Sequence, residues 1–352
     1  MEEKKKTARE IIEGYDGPPV RIMEVCGTHT HEIFRLGIRK LLPEQVELIS
    51  GPGCPVCVTQ VGFIDEAIYL ALERQVTICT FGDLVRVPGT NMSLAGARER
   101  GAKIRIVYSP VDAKEYAKEH PKEQVTFLSV GFETTTPSAC LSVKKAREEG
   151  LTNYSILTAN KTMPQAYEAL KGSADIFLYP GHVNAITGTK LCEELAKEGV
   201  SGVVAGFTAK ELLTALAVAL ARFQEGRPFF VNCYPRVVTE NGSPQAQKLV
   251  EEMMEPCDSE WRGLGVIKGS GMRLQEEWSA FDARKKYKIP LIQGKANPAC
   301  RCGDVLQGKC KPSDCKVFGK VCTPQHPVGA CMVSGEGACS AYYMYGEAEK
   351  MK

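Results

Sequence analysis

The chain has 352 residues, of which 44 are basic and 42 acidic, for a net charge of +2 with neutral histidines. That balance argues against a nucleic-acid binder that neutralises phosphates, which would carry a basic excess or stripe. Apolar residues make up 43% and aromatics 7%, as in an ordinary globular protein, and at roughly 100–200 residues per domain the length suggests two or three domains.

The N-terminus, with Glu2, Glu3, Lys4, Lys5 and Lys6, has no apolar core segment of a secretory signal. A charged helix is expected over Glu2–Gly14, packed on the C-terminal domain. From about residue 20 to 232, short apolar runs alternate with helical patterns. The runs are Arg21–Val25, Val46–Ile49, Val76–Phe81, Lys103–Tyr108, Val125–Val130, Ser155–Ala159, Ile176–Tyr179 and Val200–Ala205. Their continuous apolarity suits strands buried on both faces of parallel sheets. Helices are expected between them at His31–Leu42, Val58–Arg74, Ser138–Glu149, Pro164–Lys171, Thr187–Glu198 and Ala209–Glu225. The rhythm predicts an α/β fold. Eight strands exceed one compact half, and the polar His120–Gln124 stretch marks a boundary. Two Rossmann-like parallel-sheet domains, 20–121 and 122–232, are therefore expected to face each other across a cleft. After Phe230 the rhythm fails. Helices are expected at Gln245–Met254 and Gln275–Lys286, so residues 233–352, with the N-terminal 1–19, are read as an α-rich third domain with a cysteine-rich end. The longest strongly apolar run, Leu212–Ala221, has ten residues, against about 20 for a membrane span. A cytoplasmic location without membrane contact is expected.

Fifteen cysteines in such a chain call for metal or redox chemistry rather than structural disulfides. Cys79, Cys140, Cys192, Cys233 and Cys257 stand alone and read as small buried hydrophobes. The unusual sequences follow strands directly, where ligands bind in open parallel sheets. Cys26-Gly-Thr-His-Thr-His31 places three potential ligands within six residues, with Cys26 as an iron or zinc ligand and His29 and His31 as further ligands or their supports. Cys54-Pro-Val-Cys57 is the only CxxC. Between a strand and a helix, its first thiol meets the helix N-terminus, which favours thiolate, and the pair suits either redox cycling or soft metal ligation. Glu133, in Gly131-Phe-Glu-Thr-Thr-Thr-Pro137, and His182, in Pro180-Gly-His-Val-Asn184, are candidate acid or donor groups in the same cleft, and Asp83 is a weaker one.

Seven cysteines crowd the tail between Cys300 and Cys339. Cys300, Cys315, Cys322 and Cys339 are separated by fourteen, six and sixteen residues, with Cys302, Cys310 and Cys331 interspersed. This spacing matches neither bacterial nor plant-type ferredoxins. It indicates a thiolate site for an iron–sulfur cluster or zinc, with cysteines left over for a dithiol. Gly303–Cys310 imitates a phosphate-binding loop but carries Cys310 where Ser or Thr should bind magnesium.

Taken together, Cys26-Gly-Thr-His-Thr-His31, Gly51-Pro-Gly-Cys-Pro-Val-Cys57, Thr80-Phe-Gly-Asp83 with Arg86-Val-Pro-Gly89, Gly131–Pro137, Pro180–Asn184 and Pro327-Val-Gly-Ala-Cys-Met-Val-Ser334 resemble the HypD family of [NiFe]-hydrogenase maturation proteins, over about residues 20–346. The tail spacing is similar too. Gln60, and Gly206-Phe-Thr-Ala without Glu-Pro, depart from the family pattern. The resemblance implies a scaffold on which the Fe(CN)2CO centre is assembled. Cys26 would ligate the iron together with a cysteine of the small chaperone HypC, and the cyanide donor HypE would be a transient partner. Cys54 and Cys57 would be a redox dithiol. A 4Fe-4S cluster would use Cys300, Cys315, Cys322 and Cys339, with Cys302 and Cys331 as a second thiol pair, while Cys310 has no assigned role. Whether such a scaffold turns over as an enzyme is left open. A competing reading is a thiol-disulfide oxidoreductase resembling ferredoxin:thioredoxin reductase, which would need neither Cys26 nor the histidines. A purely structural zinc protein is a third.

Overall fold

The computed structural model describes residues 6–346. Nine short strands in chain order, β1 Val20–Glu24, β2 Val46–Ser50, β3 Thr77–Thr80, β4 Ile104–Ile106, β5 Val125–Ser129, β6 Tyr154–Thr158, β7 Ile176–Pro180, β8 Ser201–Ala205 and β9 Phe230–Asn232, form two sheets. The first has the order β2-β1-β7-β8-β9 and the second β4-β3-β5-β6. Every pairing in both is parallel, so the α/β class stands and all eight expected runs are strands.

The strands are shared out differently from the expected 20–121 and 122–232 halves. β3 to β6 form the second sheet as one contiguous stretch, set inside a first sheet that joins β1 directly to β7, with Ile22 opposite Ile176. The connections therefore leave and re-enter the first sheet on either side of the second. Successive residues of each strand face opposite ways. Ile22, Leu48, Leu178 and Val203 pack under the helix Ala209–Phe223 through Leu212, Leu216 and Leu220. Their neighbours Met23, Ile49, Phe177 and Val204 face a second core that contains Cys54, Cys57, Tyr167, Trp261, Cys302 and Cys331.

The N-terminal helix covers Ala8–Glu13, started by a Thr7/Glu10 capping box. The part of its expected span at residues 2–5 lies outside the described residues. It packs on Ala209–Phe223 rather than on the C-terminal region, with Ile12 fully buried.

The C-terminal region also departs from an α-rich domain. After the helix Pro244–Met253, an antiparallel hairpin forms from β10 Met254–Trp261 and β11 Gly265–Leu274. Its turn relies on Gly263 and Gly265, both at positive φ, where glycine is favoured. The hairpin is pinned to the rest of the molecule by bridges from Trp261 to Thr59 and from Gly271 to Lys161. Gln275–Lys286 is a 3-10 turn, Glu276–Phe281, followed by one short helix, Ala283–Lys286. Among the described residues, no helix is long and apolar enough to cross a membrane.

Candidate metal and thiol site

Cys26 is the N-cap of the helix Gly27–Arg35, directly after β1. Its side chain does not cap the helix by bonding in the manner of Ser or Asp. Instead the thiol sits where the first helical N–H groups are unsatisfied. Burial pushes Cys26 up to about 12, and N–H groups of His29 and Thr28 pull the other way. The loop carrying the CxxC is pressed against it. Gly27 N–H donates to the Gly53 carbonyl at 3.0 Å. A Cβ on Gly53 would overlap the Cys26 backbone nitrogen, and one on Gly27 would meet the Cys54 Cβ at 3.1 Å and the Glu336 Cβ at 2.7 Å. Only glycine permits this approach.

Cys54 is itself the N-cap of a one-turn helix, Pro55–Val58, and its Sγ accepts the Cys57 N–H at 3.2 Å. Cys54 and Cys57 are joined as a disulfide, their Cα atoms 5.2 Å apart, and both are buried. The sequence placed the first thiol of the CxxC at a helix start, and it is there.

Beneath Cys26 lies a buried carboxylate that the motifs did not single out. Glu24, the last residue of β1, has no exposed surface. It accepts the Thr30 hydroxyl at 2.7 Å and pairs with Arg39 at 2.5 Å. Thr30 in turn donates its N–H to the Cys26 carbonyl, so one carboxylate ties the strand to the helix that starts at Cys26.

The histidines separate into two groups. His29 is fully buried, with Nε2 3.1 Å from the Gly206 carbonyl and its ring stacked on Phe207. Burial brings it down to about 4, so it is neutral. Its Nδ1 has no partner within the protein. His182, beyond β7, stacks on the same Phe207 ring, and partial burial lowers its affinity for protons. His31 turns away. Its Nδ1 lies 3.0 Å from the Gly335 carbonyl and its ring meets Tyr345 edge-on. Glu336, another residue outside the sequence motifs, receives the Thr28 hydroxyl at 2.6 Å, which brings the tail segment to the Cys26 loop.

Glu133, after β5, accepts the Met163 N–H through Oε1 at 2.8 Å, while Oε2 is buried without a partner. Burial pushes Glu133 up to about 7. It lies apart from Cys26 in the hydrogen-bond network. Between them in the same core stands Tyr167, whose hydroxyl is buried without a hydrogen-bond partner. Nearby Lys161 is also buried, held by Ser259 Oγ and the Glu260 carbonyl at 2.7 Å each, over the Trp261 ring. Burial lowers it to about 7. Asp83 lies in the turn Gly82–Arg86 with no hydrogen bond or ion pair to these groups.

The tail cysteines converge. Cys300, Cys302, Cys315, Cys322, Cys331 and Cys339 line one cavity. Cys302 and Cys331 have their sulfurs 2.6 Å apart. Hydrogen bonds from Cys300 and Cys331, helped by Arg262, make Cys302 the favoured thiolate of the three. Cys310 lies outside, on the wall of a groove along the free edge of β2. The four thiols expected to hold a cluster thus surround a common space, the donor set a 4Fe-4S cluster requires. Among the described residues, no three His, Cys, Asp or Glu side chains converge as ligands of one metal ion. The helix Pro55–Val58 packs on the turn Ala330–Met332, so the CxxC and the Cys302/Cys331 pair share one core.

A family model described as "Hydrogenase formation hypA family", HypD, matches residues 2–346. The chain belongs to the HypD family. It is 42% identical over 347 residues to a protein named hydrogenase maturation factor HypD from Cupriavidus necator, covering 95% of this chain and 92% of that one. Similar matches are the HypD of Rhodobacter capsulatus, at 44% over 94% and 90%, and that of Escherichia coli K12, at 43% over 94% and 90%. Membership of the HypD family thus sets the chain among hydrogenase maturation factors.

Within this HypD fold the residues overlooked in the motifs had faint signals. Glu24 is a lone acid ending an apolar strand, and Lys161 a lone base following one. Glu336 sits between two glycines, Gly335 and Gly337, and Phe207 belongs to Gly206-Phe-Thr-Ala, the segment noted above only for its departure from the family pattern.

Proposed function

We propose that this chain is a scaffold in [NiFe]-hydrogenase maturation on which an iron carrying two cyanides and one carbonyl is assembled, the iron being cargo. The observation that carries this reading is the contact between the Cys26 and Cys54 loops through Gly27 and Gly53, which sets a single thiol beside a dithiol at the edge of one sheet. Cys26 is a soft ligand suited to low-spin iron with strong-field diatomics. Being buried, it is protonated when free, and iron binding releases that proton. The N–H groups of Thr28 and His29 then face the sulfur. The Cys54–Cys57 disulfide takes up two electrons and two protons on reduction to the dithiol, and the Cys302/Cys331 pair supplies two electrons when it is oxidised to a disulfide, the protons coming from its thiols and from water. A 4Fe-4S cluster held by Cys300, Cys315, Cys322 and Cys339 would supply single electrons when bound. A small HypC-type chaperone would contribute a second thiolate to the iron, and a HypE-type protein the cyanide.

An oxidoreductase acting only on protein disulfides would use the two thiol pairs but leave Cys26, His29 and His182 without purpose. Infrared spectroscopy of the protein purified with its small partner tests the proposal. Bands of iron-bound cyanide and carbonyl are expected in the wild type and absent in Cys26→Ala. Bands that persist in Cys26→Ala refute the assignment of the iron ligand, and a wild type without bands refutes the scaffold.

A further inference from the structure

The loop after β8 does more than close a turn. The Gly206 carbonyl lies 3.1 Å from His29 Nε2, and the Phe207 ring, 4.8 Å from the His29 ring at 30°, stacks on it. The same Phe207 ring stacks on His182 at 3.8 Å and 18°. His29 comes from the helix after β1 and His182 from the helix after β7, so a single side chain from a third strand end meets both. The loop is itself fixed. Glu211 accepts the N–H groups of Phe207 at 2.9 Å and Thr208 at 3.1 Å and is clamped by Arg236 at 2.7 Å. Tyr234 stands edge-on to Phe207. Gly206 has no room for a Cβ, which would overlap the Glu211 carboxylate.

We infer that Phe207 is a positioning residue, a platform that holds in fixed orientation the imidazoles of His182 and of His29, the latter on the helix that Cys26 starts. This rests on the reading of Cys26 and the histidines as the working site. With Nε2–H donated to Gly206, His29 presents Nδ1 as a fixed acceptor. Stacking sets the plane of the His182 ring, and with it the directions in which its nitrogens can donate or accept. Without the platform His182 keeps its charge chemistry but loses its orientation, because no hydrogen bond among the described contacts fixes its ring.

The test compares Phe207→Leu, which keeps an apolar group but removes the ring, with Phe207→Tyr, which keeps the ring. Phe207 is only partly buried, so both should fold, and Phe207→Met replaces the Leu variant if that one does not. Diethylpyrocarbonate modification of His182 is followed by mass spectrometry, with exposed His326 as the internal reference. A ring stack of about 0.5–1.5 kcal/mol predicts a roughly 2- to 10-fold faster modification of His182 in Phe207→Leu, with Phe207→Tyr near the wild type. Hydrogenase maturation should fall in Phe207→Leu and be restored in Phe207→Tyr. Equal modification rates in the Leu variant and the wild type, or full maturation by the Leu variant, overturn the inference. Failure of the scaffold reading shows separately, as a wild type without iron-bound cyanide bands, and the modification rates still decide the role of Phe207.

Discussion

Replacing Glu133 by Gln should abolish a pH effect on stability. The carboxyl group is buried, with one oxygen held by the Met163 N–H and the other without a partner, and burial moves it from 4.5 to about 7. The folded state therefore holds the proton more tightly than the unfolded chain. Below pH 4.5 both states are protonated and the site costs nothing. Between 4.5 and 7 the unfolded chain ionises first, so stability falls as pH rises. Above 7 both are ionised and the displacement corresponds to a constant penalty of ~3 kcal/mol. Gln keeps the shape and cannot ionise. Anaerobic denaturant or thermal unfolding of both proteins from pH 4 to 8 should show the Gln variant gaining on the wild type through pH 5–7 and levelling off. Parallel profiles across that range would refute the account of Glu133 as a desolvated carboxyl.

Three further outcomes follow from other buried groups. Lys161 is displaced the opposite way for a base, from 10.5 to about 7; the unfolded chain binds the proton more tightly between those values, so stability should rise with pH from 7 to 10 by up to ~5 kcal/mol, and this slope should vanish in Lys161→Met. Gly53→Ala should lower stability by ~1–3 kcal/mol through its overlap with the Cys26 backbone, read as a drop in Tm, and an unchanged Tm would mean the two loops are not in contact. Cys54→Ala should retain the absorbance expected of the proposed tail cluster yet yield no matured hydrogenase, and normal maturation by this variant would remove the CxxC from the proposed mechanism.

Most of the eight strands of the α/β part are legible because they are nearly continuous apolar runs buried on both faces; β4 is the exception, an edge strand on which Arg105 and Ile106 are exposed. β9 is missed because Phe230–Asn232 is short and half-buried. The helix Pro110–Glu119 escapes notice although its start is written plainly, with a Ser109/Asp112 capping box and proline in the first turn. The hairpin at 254–274 is overlooked for a different reason. Its buried and less buried positions alternate along Met254–Trp261, but polar side chains and Pro256 on a two-stranded ribbon dilute the apolar period that marks a strand. How strands divide between sheets is not written locally at all. β1 carries no residue that names β7 as its neighbour, and a strand buried on both faces offers its edges to any parallel partner, so topology is settled by packing among distant segments.

The same contrast explains which parts of the site were visible. Thiols and histidines announce themselves by type and spacing, and Cys26, Cys54, Cys57 and the tail cysteines lie where strand ends and a common cavity gather them. The groups that orient them do not. Glu24 acts through Thr30, and the Gly206 carbonyl and Phe207 ring reach His29 and His182 from a strand end remote in sequence. Carbonyls, phenyl rings and lone carboxylates are common everywhere in a chain, so their role exists only once the fold sets them against a reactive group. His31 shows the converse: its spacing from Cys26 suggests a ligand, but one helical turn separates Cys26 from His29, and two further residues rotate His31 by about 200° from His29 around the helix axis, to the Gly335 carbonyl and Tyr345. A helical period therefore predicts that His29, and not His31, shares the Cys26 face, and replacing His31 should cost the tail contact while leaving the Phe207 platform in place.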